Sequence, residues 1–163
     1  MNLADVYLSR EEYALYNPAF LSTLCRRAVD GTFSEYGFGL SIPLAYIAVG
    51  LSLTPRILFE GKPTMRSHLS AWIDQDAGRI FEIHECLPAL TKPVAAGIRF
   101  GMAFDLLSVA DSSLVQGRRP LKPMTSARSK TTYDAERMAY FYGRWLPKAG
   151  SAESVLSTLR LQV

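Results

Sequence analysis

"RFGMAFDLLSVADSSLVQGRRPLKPM", running from Arg99 to Met124, decides the fold. It reads as the end of an apolar helix, two short strands about a turn, and a basic strip. Leu106 to Val109 and Leu114 to Gln116 have strand character, and the turn-forming residues Ala110-Asp111-Ser112-Ser113 lie between them. Upstream, Thr91 and Pro93 can open a helix reaching Phe104. Downstream, Gly117 to Thr132 is rich in Pro, Ser, Thr and basic residues with few apolar ones, which predicts an exposed, mobile loop.

Working toward the N-terminus, Ala77 to Leu87 predicts a helix with Ile80, Phe81, His84 and Leu87 as its inner stripe, ended or kinked by Pro88. Thr64 starts an earlier helix in which Met65, Leu69, Trp72 and Ile73 share a face. The segment Pro43 to Leu53 is apolar almost all round and predicts the centre of the core, with Ser41 as its cap. Asn17 and Pro18 start a helix in which Phe20, Leu21, Leu24, Cys25 and Ala28 face inward, Arg26 and Arg27 point elsewhere, and Gly31 is the stop. Ser9 and Glu12 have capping-box spacing for a short turn before it. At the other end, Asp134 to Leu146 predicts a helix with Met138, Phe141, Tyr142 and Trp145 on one face, followed by a helix capped by Ser151. The fold class is therefore mainly α with one β-hairpin. Three helices followed by a hairpin give a degenerate winged-helix-like unit.

A chain of 163 residues suits one well-buried core, so residues 1–163 are read as a single domain. With 48% apolar and 20% charged residues the composition is that of a globular protein. The net charge of +3 does not by itself imply a nucleic-acid partner, but its distribution is uneven. From residue 118 to residue 153 the chain gathers Arg118, Arg119, Lys122, Arg128, Lys130, Arg137, Arg144 and Lys148 against Asp134, Glu136 and Glu153. Cys25 and Cys86 both sit in apolar helical patterns, and no basic start leads into an apolar signal core, so a reduced cytoplasmic location is expected. The apolar run Phe38 to Leu53 contains Pro43 and falls short of the ~20 residues a membrane span needs, so no membrane partner is expected.

A helix that reads DNA turns several polar or basic side chains to the major groove. Between Val94 and Phe104 the only charged side chain is Arg99, with Val94, Ile98 and Met102 in one apolar row and Phe100 with Phe104 in another. Such a helix is expected to be packed on both sides. The basic strip of Arg118, Arg119, Lys122, Arg128 and Lys130 can instead meet a phosphate backbone or an acidic protein surface, since neither needs a reading helix.

The catalytic inventory is thin. His84 and Cys86 are two apart on a helix and face different sides, and His68 has no cysteine at ligand spacing. Glu82 and Glu85 share a helix face, where paired acids for general acid–base work usually come from separate elements. In "FEGKP" Arg56 stands where the first glycine of a phosphate loop belongs and Pro63 where its Ser or Thr belongs. His84 is expected to be a hydrogen-bonded core histidine, and neither metal nor cofactor is expected. Tyr140, Phe141, Tyr142 and Trp145 within six positions cannot all turn inward, so Tyr140 and Trp145 are candidates for a partner surface.

Five stretches in order, "YNPAFLSTLCRRA", "GLSIPLAYIAVGLSL", "RSHLSAWI", "RFGMAFDLL" and "YGRWLPKAGSAESVLSTL", span Tyr16 to Leu159. In order, spacing and total length the chain resembles the middle components of bacterial three-component ABC-ATPase (ABC-3C) systems. The resemblance implies a small accessory protein encoded beside an ABC-type ATPase related to chromosome-maintenance and repair ATPases, and beside a variable effector protein. It further implies anti-phage or anti-invader defence and a non-catalytic adaptor role between ATPase and effector; DNA contact is allowed by the basic strip, not implied by the resemblance, and is expected to go no further than an indirect or backbone-only one. No catalytic residues are implied. Where the family often has Asp-Gly in the hairpin turn, this chain has Asp111-Ser112, a less favoured pair for a tight connection. The competing reading is a winged-helix DNA-binding protein or repressor, drawn from the helix, hairpin and basic strip in sequence.

Overall fold

A computed structural model describes residues 16–54, 57, 61–125 and 129–162. The Ser9–Glu12 turn and Arg128 lie outside the described residues. Helix α1 (Pro18–Tyr36) begins as the sequence requires: the Asn17 side chain accepts from Ala19 N–H at 2.9 Å and Pro18 occupies the first turn. Its end differs from expectation. Gly31 is an interior residue, and the helix stops at Gly37, whose φ of 75° puts it in the left-handed cap conformation. The reason is packing. A Cβ on Gly31 would run into the backbone of Tyr140, so the glycine serves a close helix crossing instead of a stop.

Strand β1 (Leu40–Ser41) leads directly into α2 (Ile42–Leu53). Leu44, Ala45 and the run Ile47 to Ser52 of α2 are buried, in line with its apolar pattern, and the Ser52 and Thr54 hydroxyls donate back to the Val49 and Gly50 carbonyls. Ser41 occupies the cap position but makes no capping bond and pairs with Ser113 in the sheet. The short α3 (Leu69–Asp74) buries Leu69, Trp72 and Ile73.

Helix α4 (Ala77–Ala103) runs for 27 residues through both Pro88 and Pro93, joining the two helices that the sequence predicts over 77–87 and 91–104, so Pro88 does not end a helix and Thr91 and Pro93 do not open one. Pro88 is exposed, so water can replace the hydrogen bond its ring removes. The buried stripe is Ile83, Leu90, Val94, Gly97, Ile98 and Gly101; of the four residues predicted, Ile80 and Leu87 are partly buried against the core, while Phe81 is 68% exposed and His84 is also exposed. The last turns of α4 are packed on one side only. Gly97 and Gly101 meet Leu21, Ser22 and Leu107, while Arg99, Met102 and Phe104 face solvent.

Strands β2 (Leu107–Ala110) and β3 (Ser113–Gln116) form the hairpin, and β1 joins β3 to give an antiparallel sheet of order β1-β3-β2. The connection is two residues, tighter than the four-residue turn predicted. Asp111 (φ 49°) and Ser112 (φ 63°) both take positive φ, as a type I′ turn demands. Helix α5 (Lys130–Trp145) starts four residues before Asp134, capped by the Ser129 hydroxyl, which accepts from Thr132 N–H. A 3₁₀ turn (Leu146–Ala149) and α6 (Ala152–Thr158), capped by Ser151 as predicted, complete the chain. The helices and the inner face of the sheet share one buried apolar cluster.

Candidate functional site

The basic strip after the hairpin is not a free loop. Arg26 and Arg27, adjacent on α1, are 7% and 8% exposed, although the sequence reading points them away from the core. Leu24, Cys25, Ala28 and Val29 on either side are also buried, so this stretch of α1 has no outer face. A buried guanidinium needs partners for its donors, and both arginines find them on the strip. Arg26 Nη1 donates to Leu106 O before the hairpin and Arg119 O after it, both at 2.9 Å, while its Nε pairs with Asp30 at 2.8 Å. Asp30 in turn accepts from Gln116 Nε2 on β3. Arg27 Nη2 donates to Lys122 O, and its Nε pairs at 3.0 Å with Glu136, a carboxylate on α5 in a residue 1% exposed.

These bonds tie the backbone of residues 117–122, here called the strap, to α1 and α5. The strap side chains point the other way: Arg118, Arg119 and Lys122 are exposed, and no ion pair engages them among the described residues. Lys130 is exposed in the first turn of α5, so the predicted loop to Thr132 ends earlier than expected. Tyr140 is half-buried, with its carbonyl beside Gly31.

Trp145 must be withdrawn from the surface set. It is 2% exposed, makes an edge-on contact with Trp72 at 5.5 Å, and donates its indole N–H to Ser67 O at 2.9 Å. Trp72 donates likewise to Gly61 O at 2.8 Å, and Lys148 reaches Met65 O. The paired indoles therefore hold the 61–68 segment against α3 and α5. Other aromatic side chains reach solvent, Phe81 and Phe104 on or next to α4 and Phe33 and Phe38 on or next to α1; the last two border a 240 Å³ groove with Val29 and Val115, and half-buried Tyr36 stacks on Phe38 at 5.3 Å.

Neither histidine nor cysteine forms a reactive cluster among the described residues. His84 is exposed instead of in the core, and its Nε2 lies 2.9 Å from Leu159 O. Burial pushes the Cys25 thiol up to about 12, only partly opposed by a backbone hydrogen bond, so at neutral pH it is not a thiolate. Burial, with Glu82 nearby, also raises the Cys86 thiol. No group of three His, Cys, Asp or Glu side chains among the described residues is placed to hold a metal ion. No helix among the described residues is long and apolar enough to cross a membrane.

The family model described as ABC-three component (ABC-3C) system Middle Component 3 matches residues 7–163. The chain belongs to that family. No curated protein and no solved structure matches the chain. The match extends across the core, the hairpin, the strap and the C-terminal helices, so the arginine-tied strap lies within the family region of this middle component.

Sequence reasoning missed the Arg26, Arg27 and Glu136 cluster because Arg27 and Glu136 are 109 residues apart. A local signal did exist. Two arginines stand between apolar pairs Leu24-Cys25 and Ala28-Val29, leaving no polar face for them to occupy.

Proposed function

We propose that this middle component is a non-catalytic adaptor coupling an ABC-type ATPase to an effector protein of the same system, in bacterial defence against phage or other invading DNA. The observation that carries the reading is the strap. Its backbone is tied down by buried guanidiniums, while Arg118, Arg119 and Lys122 are left to solvent. Buried charged groups cost desolvation and add little net stability, but they can fix one arrangement among several. Here they hold three cations in a set register, which suits complementary charge on a partner, where such charges steer encounter and alignment. Phe33 and Phe38 add exposed aromatic area of the kind that anchors interfaces.

The repressor reading has less support. The exposed side of α4 next to the hairpin offers Met102 and Phe104 beside Arg99, which gives few groups for base edges. Any nucleic-acid contact is then of the backbone kind, through the strap. The same reading takes residues 1–163 as one domain working in the cytoplasm.

The test is co-expression of the tagged chain with its neighbouring reading frames. The adaptor reading expects an ABC-type ATPase to co-purify in fixed proportion. Recovery of the chain alone and monomeric contradicts it.

A further inference from the structure

We infer that the outer edge of β2 docks an extended segment of a partner protein, one with basic residues flanking an uncharged centre; this rests on the adaptor reading. The sheet order leaves β2 with a neighbour on one side only. Because the connection is two residues long, Ala110 and Ser113 form the hydrogen-bonded pair that closes the turn, and the pattern alternates from there. Ser108 and Ala110 therefore direct N–H and C=O toward β3, and Leu107 and Val109 direct theirs away from it. Leu107 is buried, but Val109 is 43% exposed, and no backbone hydrogen bond among the described residues engages it.

Protein edges of this kind are normally blunted by lysine, proline or a bulge. Leu107-Ser108-Val109-Ala110 has neither residue, and its register with β3 runs without a bulge. The opposite edge, β1, is two residues long and turns at once into α2, so the two edges are not equivalent. An open donor and acceptor on one exposed residue of an uninterrupted strand specify an extended backbone as occupant.

Charge decides which extended chain fits. Asp105 and Asp111, six positions apart, bracket β2; both are exposed, and no ion pair engages either among the described residues. A second copy paired edge to edge would gather four carboxylates around one short ladder, and like charges facing across strands are unfavourable. A segment with Lys or Arg near both ends and small or apolar residues between them meets the carboxylates and the bare edge together.

The experiment follows amide hydrogen exchange of the full-length chain, alone and with the purified ATPase or effector of its own system. Val109 N–H should exchange freely in the chain alone and slow about tenfold or more in the complex that forms, while Ser108 and Ala110, already in or facing the ladder, change less. Val109→Pro deletes the outward donor without touching a ladder bond and should weaken that complex about tenfold. Val109→Lys, which keeps the N–H but blunts the edge, should also weaken it if the proline variant fails to fold. A complex in which Val109 exchanges as fast as before overturns the inference and leaves the adaptor reading standing. Absence of any complex removes both. Protection of Val109 in the chain alone, with a dimer in sedimentation, overturns the partner assignment in favour of a second copy.

Discussion

Two segments of this middle component are held by side chains reaching out from the core, and they are held differently. Residues 61–68 are fixed by the indoles of Trp72 and Trp145 and by Lys148, which donate to the carbonyls of Gly61, Ser67 and Met65. The strap is fixed by Arg26 and Arg27, which bring Asp30 and Glu136 with them. An indole carries one donor on a large apolar body, so burying it and satisfying its N–H adds to the core. A buried guanidinium brings a charge that must be matched, and its removal leaves the matching carboxylate behind. The first arrangement strengthens the fold; the second fixes the position of a segment whose outward side chains are charged.

The largest effect should come from breaking the charged anchor on one side. Arg27→Met removes one charged partner of the buried Glu136 together with the bond to Lys122 O, and should cost about 3 kcal/mol in urea unfolding. The double variant Arg27→Met/Glu136→Leu sharpens the comparison, because it should recover most of that loss while the strap amides exchange faster than in the wild type. Next comes the crossing that brings Arg27 opposite Glu136. A Cβ on Gly143 would run into the Ala28 carbonyl, so Gly143→Ala should cost about 2–3 kcal/mol by thermal unfolding. The neutral anchor should prove cheaper to break. Trp145→Phe keeps an aromatic body but loses the bond to Ser67, and a loss of about 1–2 kcal/mol is expected, with the strap unchanged. The smallest effect lies away from both anchors and has the opposite sign. Ser112→Gly relieves a positive φ in the hairpin turn and should stabilise by about 0.5 kcal/mol.

The elements that could be read from the sequence are those set by local chemistry. Asn17-Pro18 gives the start of α1, the all-apolar run gives α2, and alternation around a turn gives the hairpin. What could not be read is set by contacts between distant residues. Gly31 looks like a stop until Tyr140 is placed against it, and Pro88 looks like a break until its exposure is known. The stripe of α4 is legible only in part: Ile80 and Leu87 pack against the core, but Phe81 and His84 match a helical period as well as Ile83 and Leu90 do, and only the tertiary fold chooses between them. At the candidate site the exposed cations of the strap were legible as a basic strip. The arginines that tie the strap down were not, because their partners lie at Arg119, Lys122 and Glu136, far along the chain. Trp145 was misplaced for a related reason: four aromatic residues within six positions show that some must face outward without showing which.

The most direct measurement is sedimentation of the chain with the ABC-type ATPase of its system across a range of salt concentrations, for wild type and for Arg118→Glu/Arg119→Glu. A single co-sedimenting species is expected, weakened by salt and at least about tenfold weaker in the charge-reversed variant, whose own unfolding stays unchanged. Co-sedimentation unaffected by the reversal, or binding to duplex DNA in place of the ATPase, would contradict it.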